Sequence, residues 1–340
     1  MNCQIKINQE IDRQGWDDFV SRHPEGNIFQ TPEMYDFFLT VKNYKPIALA
    51  CISEDGNIMG ILSGVIEKEH RGILGKLSSR AIVWGGPLLP DEAGEQEAFN
   101  LLLHTFVEKI KKETIYIEFR NLFDMKKNEK IFAENGFHFG EHLNFRVKTD
   151  DGEAVQKRLS SSRKRQIKKS VASGVKIAEA ENIGQVEEFY GILADLYKNK
   201  VHKPLPDWSF FCNFFKERKR LGVYLLVRFK DKTIGGILCP LFNSKTLYEW
   251  YICGLDTEYP EQYPSVMATW VAIEYAQKNG LKCFDFMGAG SPDRDYGVRE
   301  FKARFGGEQV NFGRFTRINN KALFELGKKG LKVLKLLKKI

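Results

Sequence analysis

An internal repeat of about 170 residues constrains the fold of this 340-residue chain more than any other feature. Each half predicts a strand hairpin, a third strand, an amphipathic helix, a buried strand and a final aromatic-rich strand region. The hairpin spans Tyr44 to Leu62 in the first half and Val223 to Leu238 in the second. The repeated order predicts an α+β fold, made of two similar domains with mixed, mainly antiparallel sheets.

The later elements of the repeat give the predicted domain boundaries. The predicted helices cover residues 96–112 and 264–279, the buried strands 115–120 and 281–287, and the final strand regions 136–147 and 308–317. We therefore expect a first domain at 1–150, a second at 151–320 that begins with a basic helix, and a basic amphipathic C-terminal helix at 321–340. Ser160 to Ser162 are expected to cap the basic helix and Gly174 to end it.

The positive charge of the chain is concentrated in two segments. The net charge is +8, yet residues 157–169 hold seven Lys or Arg and no acid, and residues 321–340 hold seven Lys and one Glu. The remainder is acidic overall. Such local patches indicate polyanionic partners, namely phosphate groups, RNA or an anionic membrane surface. The alternative is two solvated helix faces without a partner.

The segment 321–340 and the cysteines indicate where in the cell the protein acts. Apolar residues recur there at helical spacing opposite lysines, which fits either an interfacial membrane helix or a terminal helix docked on the protein. The chain has no run of about 18 apolar residues and no signal-peptide pattern at its start. Its six cysteines are scattered without a C-x-x-C pair. We expect reduced thiols and a cytoplasmic protein, with peripheral contact at the inner face of the membrane left open.

Lys302 lies between aromatic residues, just after an apolar strand and just before Gly306-Gly307. This position is unusual for a solvated charge and suggests a cation held against a site. The alternative is a surface lysine in an edge strand, with its apolar stem lying over Phe301 and Phe305.

Three segments resemble the FemAB-type aminoacyltransferases and the related FemAB-like acetyltransferases. They are Asn27-Ile-Phe-Gln-Thr-Pro-Glu-Met-Tyr35, Arg163-Lys-Arg-Gln-Ile-Lys-Lys169 and Phe301-Lys-Ala-Arg-Phe-Gly-Gly307. The third is the most specific, and the resemblance spans residues from about 20 to about 318. It implies two tandem GNAT-like (acyl-CoA N-acyltransferase-like) domains. The family moves an amino acid from aminoacyl-tRNA to an amine on a peptidoglycan precursor.

The resemblance implies that Lys302 lies at the acyl-transfer centre with Phe301 beside it, both as catalytic residues. Attack of an amine on an ester or thioester creates an oxyanion, which a desolvated lysine cation can stabilise. The expected function is therefore N-acyl transfer from aminoacyl-tRNA or acyl-CoA, without a tightly bound cofactor, to an amine of a cell-envelope precursor.

The choice of donor depends on a missing loop. In acyltransferase folds of this kind, the helix after the fourth strand presents its N-terminal N–H groups to a ligand phosphate. The two candidate loops, residues 85–90 and 258–264, both lack the glycine-rich sequence of coenzyme-A acetyltransferases. We therefore prefer aminoacyl-tRNA as the donor. An acyl-CoA-dependent N-acetyltransferase of an amino sugar or lipid-linked glycan precursor is one alternative, and a non-catalytic RNA- or membrane-binding protein is another.

Further candidate residues follow from composition and position. Those expected to contact substrate are Lys200, Lys203, Tyr251 and Tyr263, and those expected to contact tRNA or phosphate are Arg163, Lys164, Arg165 and Lys168. Asp285, on its apolar strand, fits either a base that orients an amine or a carboxylate satisfied within the sheet. No spacing of ligands predicts a metal site.

Overall fold

The computed structural model describes residues 3–68, 78–90, 94–151, 153–293 and 297–327. The chain forms two compact units, one of Met1–Glu141 with Phe312–Ile340 and the other of His142–Asn311. Each unit is built on one mixed, mainly antiparallel sheet with helices packed against it, so the predicted fold class is confirmed.

Over the described residues of the first unit, the sheet has seven strands in the order β1-β2-β3-β4-β5-β15-β6. In this sheet β4 and β5 pair in parallel. The strands are β1 (Cys3–Ile7), β2 (Tyr44–Ser53), β3 (Ile58–Glu67), β4 (Arg80–Trp84), β5 (Tyr116–Arg120), β6 (His138–Gly140) and β15 (Arg314–Ile318).

Helices pack against this sheet, and aromatic rings fill its core. The helices are α1 (Arg13–Arg22), α2 (Pro32–Thr40), α3 (Glu95–Ile110) and α4 (Glu129–Glu134). Thr31 begins α2 by accepting a hydrogen bond from the N–H of Met34, which satisfies one of the first-turn donors that have no partner within the helix. The rings of Phe132 and Phe315 stack with centroids 3.8 Å apart, so β15 is an integral part of this core.

In the part of the second unit that the structure describes, the sheet has eight strands, in the order β14-β7-β13-β11-β10-β9-β8, with β12 also paired to β10. They are β7 (Asn144–Lys148), β8 (Lys176–Glu179), β9 (Gly222–Phe229), β10 (Lys232–Phe242), β11 (Thr246–Tyr248), β12 (Tyr251–Gly254), β13 (Cys283–Asp285) and β14 (Glu308–Val310). The helices are α5 (Glu153–Arg158), α6 (Ser161–Ala172), α7 (Ile183–Leu196), α8 (Trp208–Lys216), α9 (Arg218–Leu221), α10 (Pro264–Lys278) and α11 (Gly297–Ala303), with a π-helical turn at Tyr197–Val201.

Two local predictions have clear outcomes in this unit. Helix α6 starts as expected, because the Ser160 hydroxyl accepts from the N–H of Arg163, and the chain leaves it through Gly174 at a φ of +92°. Lys302 lies on helix α11 and is buried, so the alternative of an exposed lysine in an edge strand is wrong.

The two sheets divide the predicted final strand regions between them. In each region, one part joins the first unit (β6 and β15) and the other part joins the second unit (β7 and β14). The unit boundaries therefore fall after residues 141 and 311, whereas the repeat predicted boundaries after 150 and 320. The buried side chains account for the exchange, because Phe315 packs in the first core and Phe145 and Val147 pack in the second.

Candidate active site

Two neighbouring strands of the second unit part at Glu249. Strands β11 and β13 pair in parallel as far as Tyr248 and Asp285, and the N–H of Glu249 still donates to the carbonyl of Asp285 at 2.9 Å. The next N–H, of Trp250, turns to the carbonyl of Leu238 at 3.1 Å, and β12 continues along β10. Within the described residues no strand pairs with the other edge of β12.

The first unit parts at the equivalent place, because the chain beyond Gly85 bonds through Leu88 to Ile61 of β3. Strands β4 and β5 stay paired through Trp84 and Arg120, and the N–H of Gly85 extends the ladder to the carbonyl of Arg120 at 3.0 Å. The amide of Gln30 also links β3 to β4, donating to the carbonyls of Ser63 at 2.9 Å and Trp84 at 2.8 Å. The buried cation Lys302 lies in the second unit, so the candidate site belongs to that unit.

The ammonium group of Lys302 is buried beside the point of parting. Its Nζ donates to the carbonyl oxygens of Phe286 and Gly288, both at 2.8 Å, and forms an ion pair with Glu249 Oε1 at 2.8 Å. The side chain is only 9% exposed. Because an ammonium has three N–H donors, all of them are used within the protein.

Glu249 is the partner that sequence reasoning missed. Its side chain is 5% exposed, and Oε2 has no hydrogen-bond partner among the described residues. Burial raises the pKa of this carboxyl group, while the charge of Lys302 opposes the rise. The sequence feature that could have identified Glu249 is its position between two aromatic residues, Tyr248 and Trp250, in a strand-like apolar run.

Asp285 is a carboxylate satisfied within the sheet. Its Oδ1 accepts from the Asn144 side-chain amide and from the backbone N–H of Met287, both at 2.7 Å. Its Oδ2 lies 3.6 Å from Nε of Arg146 on the neighbouring strand. Burial raises the pKa of Asp285, and these hydrogen bonds and the arginine oppose the rise. Of the two roles considered for this residue, the structure favours the satisfied carboxylate.

Arg299 shapes the loop that follows β13. Its guanidinium donates to the carbonyl of Ala289 at 3.2 Å and also to that of Ser291. Met287 and Gly288 take φ values of +55° and +133°. This turn directs the carbonyls of Phe286 and Gly288 towards Lys302.

Arg163 lies inside the second unit, although its sequence context predicted contact with tRNA. It is 4% exposed, and its guanidinium stacks on Phe301 at 4.4 Å and on Phe305 at 4.9 Å from the ring centroids. Nη2 also donates to the carbonyl of Phe301 at 3.3 Å. Burial and the charge of Arg304 lower the pKa of Arg163 to about 10. Arg163 therefore packs against the ring of Phe301, the residue next to Lys302 in sequence.

The other predicted cations lie on the surface of this unit. Arg165 and Lys168 are exposed on α6, and exposed Lys164 donates from Nζ to the carbonyl of Lys157 at 3.0 Å. Lys203 is exposed, and Lys200 is exposed with Nζ 3.3 Å from the hydroxyl of Thr257.

The two predicted tyrosines occupy different surroundings. Tyr251 is half-buried at the start of β12, with ring centroids of Phe210 and Phe211 at 5.7 and 5.2 Å. Tyr263 precedes α10 in a left-handed conformation, with φ of +47°. Tyr251 is thus two residues from Glu249 at the parting strands, whereas Tyr263 caps a helix.

A carboxylate caps the N-terminus of α10, the helix that follows the parted strand. Pro264, the first residue, has no N–H group, and the N–H of Ser265 donates to Asp256 Oδ1 at 3.1 Å. The Ser265 hydroxyl donates to the same carboxylate, and the N–H of Met267 donates to the carbonyl of Tyr263. A negative group therefore occupies the position where a ligand phosphate would bind a free helix N-terminus.

The predicted C-terminal helix is described only over residues 321–327, and residues 328–340 lie outside the described part. Its first turn contacts the first unit, because the ring of Phe324 lies 5.5 Å from that of Tyr116. In the part of the chain that the structure describes, no helix is both long and apolar enough to cross a membrane.

Residues 157–302 match a family model described as the acetyltransferase (GNAT) domain. No curated protein matches the sequence closely enough to count as a relative. The match supports an acyltransferase of the GNAT type and disfavours the non-catalytic alternative.

Solved structures share the fold over nearly the whole chain. FemX has a TM-score of 0.69 at 16% identity, covering 94% of this chain and 99% of its own. The C-terminal domain of a putative lysylphosphatidylglycerol synthetase from Agrobacterium fabrum has a TM-score of 0.56 at 14% identity, covering 92% and 94%. A tandem GNAT protein from the clavulanic acid biosynthesis pathway has a TM-score of 0.59 at 10% identity, covering 93% and 99%. The expected tandem GNAT-like fold is thereby confirmed.

Proposed function

We propose that this GNAT-type acyltransferase moves an aminoacyl group from aminoacyl-tRNA to an amine of a peptidoglycan or other cell-envelope precursor. The observation that carries the choice of donor is the carboxylate of Asp256 at the start of α10. A coenzyme-A pyrophosphate at that helix would meet a negative charge and a first turn whose Ser265 N–H is already bonded. The donor would therefore be held elsewhere, as the exposed cations of α6 allow.

Two further observations support the proposal. Exposed Arg165 and Lys168 stand on α6, whose buried Arg163 contacts the helix that carries Lys302. Phosphates of a tRNA backbone bound at α6 would thus lie on the same unit as the parted strands. The fold is also shared with FemX and with the C-terminal domain of a putative lysylphosphatidylglycerol synthetase.

The direct test supplies charged tRNA or acyl-CoA together with nucleotide-sugar or lipid-linked amine acceptors, and follows the labelled acyl group. We expect transfer from tRNA that ribonuclease abolishes and that added salt weakens. The double variant Arg165→Gln/Lys168→Gln should raise KM for tRNA and reduce its salt dependence. The matched control Arg22→Gln/Lys130→Gln removes two exposed charges of the first unit and should leave both values unchanged. Transfer from neither donor would refute the proposal.

A second candidate function keeps the same chemistry with another donor, acting as an acyl-CoA-dependent N-acetyltransferase of an amino sugar or lipid-linked glycan precursor. The match of residues 157–302 to an acetyltransferase domain favours it. Transfer from acyl-CoA that resists ribonuclease would establish this function in place of the first.

The proposed donor is cytoplasmic, so we propose a cytoplasmic enzyme, with 321–340 as its contact to the inner face of the membrane. Removing residues 321–340 should abolish binding to anionic liposomes while transfer to a water-soluble acceptor persists. Unchanged liposome binding would exclude a membrane role for this segment.

A further inference from the structure

The chain beyond β13 forms a β-bulge against the start of β7. The N–H of Phe286 donates to the carbonyl of Phe145 at 3.1 Å, and the N–H of Ala289 donates to the carbonyl of Leu143 at 2.6 Å. Between these two bonds, residues 287–288 on one strand stand opposite a single residue on the other, which is the arrangement of a bulge. A bulge redirects the groups of the strand that carries it.

Asn144 is that single residue, and its buried side chain bonds to the bulge. Its Oδ1 accepts from the N–H of Gly288 at 2.7 Å, and its Nδ2 donates to Oδ1 of Asp285 at 2.7 Å. The same carboxylate oxygen accepts from the N–H of Met287 at 2.7 Å. Asn144 therefore bonds the bulge both directly and through Asp285, which requires a donor and an acceptor on one short side chain.

The bulge determines where the ammonium group of Lys302 lies. The carbonyls of Phe286 and Gly288, one on each side of Met287, accept from its Nζ at 2.8 Å. Met287 has a φ of +55°, a left-handed conformation that is uncommon for residues other than glycine. Such a conformation persists only where the surroundings hold it. Without the bonds of Asn144, the two carbonyls would no longer converge on Nζ.

We propose that Asn144 is a positioning residue of acyl transfer, which holds the bulge and through it the ammonium group of Lys302. This inference rests on the proposed N-acyl transfer, with the Lys302 cation stabilising the negative charge that develops on the donor carbonyl. A displacement of about 1 Å in a group of this kind can cost about a hundredfold in rate. Asn144 acts through Lys302 and needs no contact with the substrate.

Replacement by leucine tests the positioning role, because leucine has a similar shape and forms neither hydrogen bond. We expect Asn144→Leu to lower kcat by at least about tenfold, with KM for donor and acceptor unchanged within about twofold. Circular dichroism and thermal unfolding check that the variant is folded. A folded variant with kcat within about threefold of the wild type, or with a changed KM and an unchanged kcat, would overturn the inference.

A second variant gives a pH signature. Asn144→Asp keeps an acceptor for the N–H of Gly288 but places a carboxyl group against that of Asp285. Two carboxyl groups in contact share one proton until the pH is high enough to remove it. While that proton is present, it supplies the donor that the amide has lost. Its removal leaves two carboxylates that repel each other across the bulge.

The surroundings of Asp285 act on this shared proton in both directions. The other charged or titratable groups that interact with Asp285 are Arg146 on β7, Lys302 on α11, Tyr248 on β11, Glu249 beyond β11 and Cys283 on β13. The two cations favour loss of the proton, and burial together with Glu249 opposes it. Burial raises the pKa of Tyr248 and of Cys283, so both stay neutral.

The pH profile of kcat separates positioning from a general loss of structure. We expect kcat of Asn144→Asp to lie within about threefold of the wild type at about pH 6 and at least about tenfold below it at about pH 9. The matched control Gln14→Glu places an acid against Asp18 on α1, where the amide Nε2 now donates to Oδ1 at 3.0 Å, and should leave kcat unchanged at both pH values. A ratio of variant to wild-type kcat that stays constant with pH would overturn the inference. Failure of the wild type to acylate any acceptor from either donor would instead count against the proposed function.

Discussion

The Lys302–Glu249 pair predicts a pH-dependent loss of stability when the lysine charge is removed. Lys302→Met keeps the apolar stem but leaves the Glu249 carboxylate buried without its cation, since the side chains are 9% and 5% exposed. Removing one partner of a buried ion pair typically costs about 3–5 kcal/mol. The carbonyls of Phe286 and Gly288 also lose their donor, at about 1 kcal/mol each within that range.

The pH dependence follows from the direction of the pKa shift. The folded-state pKa of Glu249 is raised by burial, and Lys302 is the main influence that lowers it. In Lys302→Met the pKa therefore rises further above its unfolded value. An acid with a raised folded pKa contributes stability below its unfolded pKa and loses it as pH rises through the folded pKa. The penalty should grow by up to about 1.4 kcal/mol per pH unit across that window.

Urea unfolding of the wild type, both single variants and the double variant Lys302→Met/Glu249→Gln at about pH 6 and about pH 9 measures this penalty. We expect the double variant to recover more than about 1 kcal/mol of the loss at the higher pH, because no charge then remains buried alone. The buried ion pair would be refuted if Lys302→Met lost the same free energy of unfolding at both pH values and the effects of the two single substitutions were additive.

Three other predictions follow from individual contacts. Arg163→Lys should lower kcat for acyl transfer several-fold with little change in tRNA affinity, because lysine lacks the planar group that stacks on Phe301. Initial rates measured against tRNA concentration separate the effect on kcat from the effect on affinity. Asp256→Asn should strengthen inhibition of transfer by free coenzyme A, since the carboxylate at Ser265 is removed. Unchanged inhibition would show that the Asp256 carboxylate does not hinder coenzyme-A binding. Gly306→Ala should reduce the free energy of unfolding by more than about 1 kcal/mol, because its φ is +77° and a Cβ would collide with backbone, which chemical denaturation can measure.

The repeat could be predicted because it depends on local patterning. Alternating and helical apolar periods place a strand over Tyr44–Ser53 and a helix over Pro264–Lys278 close to their predicted positions. Capping is equally local, so Ser160 and Gly174 were assigned correctly. The exchange of β6, β7, β14 and β15 between the sheets escaped prediction, because a strand pattern does not specify which sheet edge it joins.

The candidate site was predicted only in part. Lys302 was singled out because aromatic residues flank it and because its segment resembles the FemAB-type aminoacyltransferases. The structure adds that its side chain is buried. Arg163 carried the same surface-cation pattern as Arg165, yet one is buried against two rings and the other is exposed. Helical period places residues on faces, but only packing decides which face another element covers.

The sequence by itself determined that the chain contains two copies of one α+β unit, that its positive charge lies in two segments and that a lysine stands between aromatic residues after the last apolar strand. The tertiary structure decided what that lysine contacts. Glu249 and Lys302 are more than fifty residues apart in sequence, and they meet only because β11 and β13 pair and then part. A contact of this kind depends on strand pairing and burial, which are long-range properties that no local pattern of residues encodes.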